Sequence, residues 1–202
     1  MNAPQSETAI RQSRRRVLWL AAFFFAPLAI AFLLYYGNLW RPQGNTNKGE
    51  LISPARPLPA VALTLADGTQ SSPDILQGKW TWAYIGNGQC DARCRMALAD
   101  TRQARLLLSE KLDRVQRIFF VTNECCDTEY LNRDHPGLIV AHFDKPELTS
   151  AFVLNATSAP ETAGRIYLID PLGNLMMSYA PDAPSMGLLE DIKKLLKLSH
   201  IG

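Results

Sequence analysis

The sequence predicts an α/β domain with a mixed central β-sheet, preceded by a single transmembrane helix. Three observations predict this organisation: an apolar run near the N-terminus, a strand–helix–strand pattern over residues 79–121 and a hairpin pattern over residues 165–179. A strand–helix–strand unit joins parallel strands, whereas a hairpin joins antiparallel ones. A sheet that contains both is therefore expected to be mixed.

The N-terminal residues have the composition of a membrane anchor. Residues 1–16 contain four arginines and one acidic residue, and are predicted to be cytoplasmic. Residues 17–39 contain no Asp, Glu, Lys, Arg or His, and about 20 apolar residues suffice to cross a bilayer as a helix. A cleaved signal peptide is the alternative, since Ala29-Ile30-Ala31 resembles a cleavage site. The apolar run continues past that point, which favours an uncut anchor.

The rest of the chain is predicted to be a linker followed by one domain. Residues 40–57 are rich in Pro, Gly and Asn and show no sustained period, which is typical of a linker. The domain is predicted over residues 58–202. Basic and acidic residues are nearly equal in number beyond the anchor, and no basic cluster indicates a phosphate-binding surface. We therefore expect no nucleic-acid partner.

The first half of the domain contains the strand–helix–strand pattern. Residues 61–65 run into Asp67-Gly68, a turn signal, and predict a hairpin. Residues 79–85 are rich in aromatic and β-branched side chains and predict a buried strand. A helix is predicted over residues 93–112, where apolar and polar residues alternate at helical spacing, and a second buried strand over residues 118–121. These two strands should be parallel.

The second half of the domain completes the sheet. A third strand is predicted over residues 138–143 and a short helix over residues 146–154. Residues 165–169 and 175–179 flank a turn rich in Asp, Pro, Gly and Asn, which predicts a hairpin. An amphipathic helix over residues 188–198 ends the domain.

Cys90 and Cys94 lie where the first predicted strand gives way to the helix. Residues four apart on a helix share a face, with a Cα separation of about 6 Å that a disulfide can bridge. A helix N-terminus favours a thiolate, so Cys90 is expected to be the more reactive thiol. The two can form a redox couple, a metal clamp or only a structural disulfide, although so small a loop would contribute little stability. Beyond a membrane anchor, an oxidising compartment would let disulfides persist.

Cys125 and Cys126 follow the next parallel strand. Because the carboxyl ends of parallel strands meet at one edge of a sheet, all four sulfurs are expected to face one crevice. Adjacent cysteines rarely pair with each other, so at least one should be free, metal-bound or paired with Cys90 or Cys94. The alternative is a loop that carries two incidental thiols.

Several motifs together resemble one known family. They are Asp67-Gly68, Gly78-Lys79, Tyr84-Ile85-Gly86 before Cys90-x-x-x-Cys94, Asp127-Thr128, and Ile166-Tyr167-Leu168-Ile169-Asp170-Pro171-x-Gly173. Over most of residues 58–201 the sequence resembles the Sco/SenC family, the membrane-anchored copper-assembly proteins of cytochrome c oxidase. The resemblance implies a thioredoxin-like fold, Cys90 and Cys94 as ligands of Cu(I) or as a reactive thiol pair, and an oxidase subunit or another copper-assembly protein as partner.

Three departures from that family bear on its chemistry. Asp91 stands where the family has a proline, and Cys125 and Cys126 stand where it has a segment with Pro and Arg. The position of the family's copper-binding histidine is Thr162. Two thiolates without an imidazole favour Cu(I) over Cu(II). The other histidines are His135, His142 and His200, of which His135 is the one substitute ligand the sequence offers.

The sequence leaves three functions open. The protein can be a copper-handling assembly factor, a thiol–disulfide oxidoreductase in which Cys90 attacks and Cys94 resolves, or a structural accessory of a respiratory membrane complex with no chemistry of its own. The missing histidine favours the second over the first. The absence of a proline directly before residue 165, where thioredoxin-like oxidoreductases carry one, counts against it. The expected location is a bacterial inner membrane with a periplasmic domain, with the mitochondrial inner membrane as the alternative.

Overall fold

The computed structural model describes residues 7–37, 46–123, 125–154, 159–199 and 201. The chain divides into two units, Met1–Asn45 and Thr46–Gly202. The described residues of the first unit include the helix α1 (Glu7–Tyr36), which has Pro27 in its interior. Its residues 11–36 are long and apolar enough to cross a membrane. The predicted N-terminal apolar helix is confirmed, although residues 38 and 39 of the predicted span lie outside the described part of the chain.

The second unit is built around one six-stranded sheet. Its elements, in chain order, are β1 (Glu50–Pro57), β2 (Trp80–Gly86), α2 (Ala92–Leu106), a 3-10 helix (Ser109–Arg114), β3 (Val115–Val121), α3 (Thr128–Asp134), β4 (Ile139–His142), α4 (Pro146–Phe152), α5 (Pro160–Ala163), β5 (Ile166–Ile169), β6 (Asn174–Tyr179) and α6 (Ser185–Leu198). The strand order is β1-β6-β5-β2-β3-β4. The β2–β3 and β3–β4 pairs are parallel and the others antiparallel, so the predicted mixed sheet is confirmed.

Strand β2 lies at the centre of the sheet, and every one of its residues is buried. Its side chains alternate between two apolar clusters, as the twofold period of a strand requires. Trp82 and Tyr84 pack on the face that α2 and α6 cover, whereas Ala83 and Ile85 pack on the face that α4 covers. Pairing with β3 on one side and β5 on the other fixes the carboxyl end of β2, the point from which the cysteine loop begins.

The predicted linker is corrected by β1. Residues 50–57 form this strand, which pairs antiparallel with β6, so the linker prediction is wrong for them. Just before the strand, the backbone N–H groups of Lys48 and Gly49 donate hydrogen bonds of 2.8 and 2.9 Å to the buried carboxylate of Asp191 on α6. β1 is an edge strand whose residues are mostly exposed, so it shows no apolar alternation, and its composition alone predicted a linker. Residues 40–45 lie outside the described part.

Three smaller differences concern element boundaries. The helix predicted over residues 93–112 ends at Leu106, and the 3-10 helix follows it. The early hairpin is reduced to an isolated bridge between Thr64 and Gln70. Helices α3 and α5, of seven and four residues, were not predicted, because segments this short show no clear helical period. The β5–β6 hairpin and the parallel β2–β3 unit are as predicted.

Candidate functional site

Cys90 and Cys94 form a disulfide at the strand-to-helix turn after β2. Their Cα atoms are 5.0 Å apart, and each side chain is 2% exposed. Cys90 has a φ of 46°, in the left-handed region, at the point where the chain turns from the strand towards α2. The pair is therefore held in the protein core at the carboxyl end of the central strand, the edge at which α/β folds place their ligands.

The first turn of α2 differs from the sequence expectation. The N-cap is Asp91, and its Oδ1 accepts a hydrogen bond of 2.9 Å from the backbone N–H of Cys94. Cys90 thus precedes the cap, and Cys94 is the third residue of the helix. An anionic side chain already occupies the helix N-terminus and one of its free N–H groups. The helix dipole therefore gives less support to a Cys90 thiolate than the sequence suggested.

A cavity of about 450 Å³ opens onto this disulfide. Asp91 and Arg93 line one part of it, and Glu161 and Thr162 of α5 line another. Thr162 is exposed, and its hydroxyl donates a hydrogen bond of 3.1 Å to the carbonyl of Ala159. The position at which the resemblance implies a histidine thus faces the same cavity as the two cysteines.

Tyr84 adds a phenol to the wall of this cavity. Burial raises its pKa, the nearby carboxylate of Asp91 raises it further, and Arg93 acts in the opposite direction. The phenol therefore stays protonated at neutral pH and is able to donate a hydrogen bond to a sulfur or carbonyl in the cavity. In the sequence, Tyr84 is one residue of the motif before Cys90, and its place near the end of a buried strand is the signal that points to this role.

The donor set fits Cu(I) better than Cu(II). When reduced, Cys90 and Cys94 supply two thiolates, the soft ligands that Cu(I) prefers. Within the residues that the structure describes, no group of three or more His, Cys, Asp or Glu side chains is placed to hold a metal ion. A site of two thiolates and an imidazole would need a histidine near Thr162.

His135 lies away from the cavity. It follows α3 and is 4% exposed, and its Nε2 is 2.8 Å from the hydroxyl oxygen of Tyr130. Burial lowers its pKa, and the charges of Arg117 and Arg102 lower it further. The structure therefore does not bring His135 to Cys90 and Cys94. His142 is a residue of β4, and His200 lies outside the described residues.

Cys125 and Cys126 form a disulfide with each other. The expectation that adjacent cysteines would not pair is therefore wrong, and none of the four cysteines is free. Both residues are half-buried and pack against the apolar cluster that contains Cys90 and Cys94. The two pairs lie at the same end of the sheet, but only Cys90 and Cys94 line the cavity.

Arg95 connects the two cysteine loops. Its Nε donates a hydrogen bond of 3.1 Å to the carbonyl of Cys90, and its Nη2 is 3.9 Å from Oδ2 of Asp127, the residue after Cys126. The guanidinium carbon lies 4.4 Å from the ring centroid of Tyr130. The sequence indicated only that Arg95 adds positive charge beside Cys94, because its contacts belong to a distant segment.

A separate cavity of about 300 Å³ lies beside β1. Its arginines are already engaged: Arg165 contacts Glu50 and Ser178, and Arg56 donates to the carbonyl of Val153. None of the four cysteines lines this cavity. The cavity beside β1 is therefore separate from both cysteine pairs.

Comparisons with known proteins place these features in a family. The chain is similar to the solution structure of apo Sco1 from Thermus thermophilus, with a TM-score of 0.59, 19% identity and coverage of 74% of this chain and 96% of that one. It is similar to yeast Sco1 with copper bound, with a TM-score of 0.58, 20% identity and coverage of 73% and 96%. It is also similar to a thiol:disulfide interchange protein of the thioredoxin family from Chlorobium tepidum, with a TM-score of 0.54, 19% identity and coverage of 72% and 99%.

At these identities the likeness establishes the fold, which confirms the thioredoxin-like domain and its resemblance to Sco/SenC proteins. No curated protein matches the sequence. The family model described as the transmembrane-like, thioredoxin-like, C-terminal domain matches residues 80–199, more than half of the chain. The chain therefore belongs to the transmembrane-like, thioredoxin-like, C-terminal domain family.

Proposed function

We propose that this chain is a membrane-anchored thiol–disulfide protein that assists cytochrome c oxidase assembly, with Cys90 and Cys94 as its reactive pair. The observation that carries the proposal is the Cys90–Cys94 disulfide at the end of the central strand, open to a cavity large enough for a client side chain. The assignment to oxidase assembly is supported by the sequence motifs and the fold shared with Sco proteins.

In this function the reduced pair delivers two electrons and two protons to a client disulfide. The thiolate of Cys90 attacks one client sulfur, which forms a mixed disulfide and releases the other client sulfur as a thiol. Cys94 then attacks the sulfur of Cys90, which releases the second client thiol and forms the Cys90–Cys94 disulfide. A dithiol reductant outside the cytoplasm must reduce the pair again after each turnover.

Residues of the cavity support these steps. The protonated phenol of Tyr84 is able to donate a hydrogen bond to a sulfur that carries developing negative charge. Arg95, bound to the carbonyl of Cys90, places positive charge beside the same loop. Asp91 acts in the opposite sense, because its carboxylate disfavours a nearby thiolate.

Copper handling is the second candidate, with Cu(I) as cargo. Two facing thiolates suit Cu(I), and yeast Sco1, a structural neighbour, was solved with copper bound. Because the disulfide has no thiolate, only the reduced pair can take up the ion. The partner in either case is a cytochrome c oxidase subunit or another copper-assembly protein.

The copper candidate predicts a gain of function at Thr162. Thr162→His places an imidazole on the cavity of the two cysteines, so the reduced variant should bind Cu(II) and show a thiolate-to-copper absorption band that the parent protein lacks. Thr162→Gln is the matched control, because it has similar bulk but no imidazole. A strong band in the parent protein would mean that another ligand completes the site.

The test of the proposed function uses the full-length chain in detergent. Reduction and reoxidation of the Cys90–Cys94 disulfide should be reversible, so that its reduction potential can be measured. Cys90→Ser/Cys94→Ser should abolish exchange with a disulfide substrate, and in cells it should abolish oxidase assembly. Cys125→Ser/Cys126→Ser is the matched control: once its Cys90 and Cys94 have been fully reduced, it should retain exchange with the disulfide substrate. Full oxidase assembly by the Cys90→Ser/Cys94→Ser variant would leave the structural accessory as the function.

The proposed location is a bacterial inner membrane, with the N-terminus in the cytoplasm and the domain in the periplasm. The arginines that precede residue 17 support this orientation under the positive-inside rule. A reporter fused after Gly202 should be active only outside the cytoplasm. Activity inside the cytoplasm would remove the oxidising compartment on which the redox proposal depends.

A further inference from the structure

The two cysteine pairs occupy equivalent positions on neighbouring strands. Strands β2 and β3 are parallel and in register, with Gly86 opposite Val121. The backbone N–H of Thr122 donates a hydrogen bond of 3.1 Å to the carbonyl of Gly86, which extends this pairing into the loops. Cys90 and Cys125 then follow their strands by the same number of residues, so both loops leave the same edge of the sheet side by side.

The side chain of Arg95 contacts both of these loops. The guanidinium of Arg95 contacts the carbonyl of Cys90 on one side and the carboxylate of Asp127 on the other. The guanidinium carbon lies over the ring of Tyr130, 4.4 Å from the ring centroid. Arg95 therefore bridges the two cysteine loops, with one contact on each side.

The two pairs differ in their access to solvent. Cys90 and Cys94 are each 2% exposed and line the cavity. Cys125 and Cys126 are half-buried, and neither of them lines that cavity. Exchange requires a thiolate to approach a sulfur directly. An external thiol therefore reaches Cys125–Cys126 by a different surface from the one that a client in the cavity would use.

We propose that Cys125–Cys126 is a second redox-active pair, which accepts electrons from an external dithiol and passes them to Cys90–Cys94. This inference rests on the proposed thiol–disulfide function. It gives the reductant and the client separate surfaces, with Cys125–Cys126 facing the reductant and the cavity facing the client.

The transfer balances as two successive exchanges. The external dithiol reduces Cys125–Cys126 with two electrons and two protons and becomes a disulfide. A thiolate of the reduced pair attacks the sulfur of Cys90, forming a mixed disulfide, and Cys94 leaves as a thiolate that takes up a proton. The second thiol of the pair then attacks its neighbour in the mixed disulfide and displaces Cys90 as a thiol. Cys125–Cys126 is again oxidised, and Cys90 and Cys94 are reduced.

The central experiment traps the intermediate in the full-length chain in detergent. Cys94→Ser/Cys125→Ser and Cys94→Ser/Cys126→Ser each leave Cys90 and one thiol of the other pair, with no third thiol to resolve their mixed disulfide. Equilibration in a glutathione redox buffer should therefore produce a disulfide between Cys90 and the remaining Cys126 or Cys125 in at least one of these variants. Peptide mapping under non-reducing conditions detects it. The matched control is Cys94→Ser/Cys125→Ser/Cys126→Ser, in which Cys90 should remain available for alkylation or carry glutathione. Absence of a Cys90 disulfide with the remaining cysteine in both double variants would overturn the relay.

A kinetic measurement keeps the test decisive if the Cys94→Ser variants do not fold. Reduction of Cys90–Cys94 by dithiothreitol, followed by alkylation and mass spectrometry, should be about tenfold slower in Cys125→Ser/Cys126→Ser than in the parent protein, because the accessible pair is lost. Equal rates would overturn the relay but leave the proposed function in place. A Cys90–Cys94 bond that no dithiol reduces in the folded protein would instead overturn the proposed function itself.

Discussion

The two loops that carry the cysteine pairs begin their helices in the same way. In each, a cysteine is followed by an aspartate that caps the next helix. Oδ1 of Asp91 accepts a hydrogen bond of 2.9 Å from the backbone N–H of Cys94, and Oδ1 of Asp127 accepts one of 3.0 Å from that of Tyr130. The third helical residue is thus a cysteine in one loop and a tyrosine in the other, and only the first loop can close a disulfide across its helix start.

The helices that follow make the two loops unequal. Helix α2 has 15 residues and buries five of them, including Leu98 and Cys94 itself. Helix α3 has seven residues and buries only Leu131 among them. The longer helix holds its cysteine pair in the core, whereas the shorter one leaves its pair half-buried. The same type of capped turn therefore carries a buried cysteine pair where a long helix packs on the core and a more accessible pair where the helix is short.

The largest expected effect concerns the packing behind the buried pair. Leu98 is 1% exposed, and Leu98→Ala should lower the free energy of unfolding by about 3 kcal/mol, through lost burial and the cavity left behind. It should also accelerate alkylation of the reduced Cys94 more than that of the reduced Cys126. Leu106→Ala, on the same helix at 58% exposure, is the control and should change stability by less than about 0.5 kcal/mol. Urea unfolding measures the stability of both variants. An equal loss of stability in Leu98→Ala and Leu106→Ala would show that burial on α2 does not distinguish the two loops.

The caps should produce a smaller effect that separates the loops chemically. Asp91→Ala and Asp127→Ala should each lower the free energy of unfolding by about 1 kcal/mol, because each leaves a helix N–H unpaired. Asp91→Asn and Asp127→Asn keep the cap and should cost less. Both changes at Asp91 also remove a negative charge beside Cys90 and Cys94, so the pH-dependent alkylation of these thiols should shift to lower pH.

Changes at Asp127 should shift the alkylation of Cys125 and Cys126 in the same direction. If neither pair responds to loss of its neighbouring carboxylate, the aspartates act on helix structure alone. A response of all four thiols to either change would instead indicate that Arg95 couples the two loops electrostatically, since it contacts Asp127 and the carbonyl of Cys90.

The smallest expected effect is a pH dependence of the free energy of unfolding that arises from His135, the residue after α3. Burial and the charges of Arg117 and Arg102 lower the pKa of His135 from its ordinary value of 6.5, while Asp134 acts in the opposite direction. The unfolded chain therefore binds a proton at higher pH than the folded one, so stability is fully present above about pH 6.5 and is lost as the pH falls below it. Urea unfolding at pH 7.5 and pH 5.5 should show this loss.

His135→Gln should reduce that loss, because the titrating ring is gone. Tyr130→Phe is the matched control: it removes the hydroxyl that meets Nε2 of His135 but keeps the surrounding burial, so most of the dependence should remain. An identical slope in the parent protein and in His135→Gln would assign the pH dependence to other groups.

Much of the domain followed from local patterns. Strand β2 and helix α2 are long and uniform enough that composition and period identified them, and the parallel β2–β3 pair followed from the helix between the strands. Strand β1 was missed because it is an edge strand with mostly exposed side chains and therefore shows no apolar alternation. Helix α3 was missed because it is stabilised mainly by its cap and by Leu131, neither of which produces a period in the sequence.

By itself, the sequence determined the apolar N-terminal helix, the mixed sheet and the closeness of Cys90 to Cys94, because each depends on residues that are neighbours along the chain. The tertiary structure decided what lies around those elements. It paired Cys125 with Cys126 and placed Thr162 on the cavity of the other pair. It also turned His135 towards Tyr130. Such outcomes depend on packing between segments distant in sequence, and the free energy of that packing is a property of the whole fold rather than of any one motif.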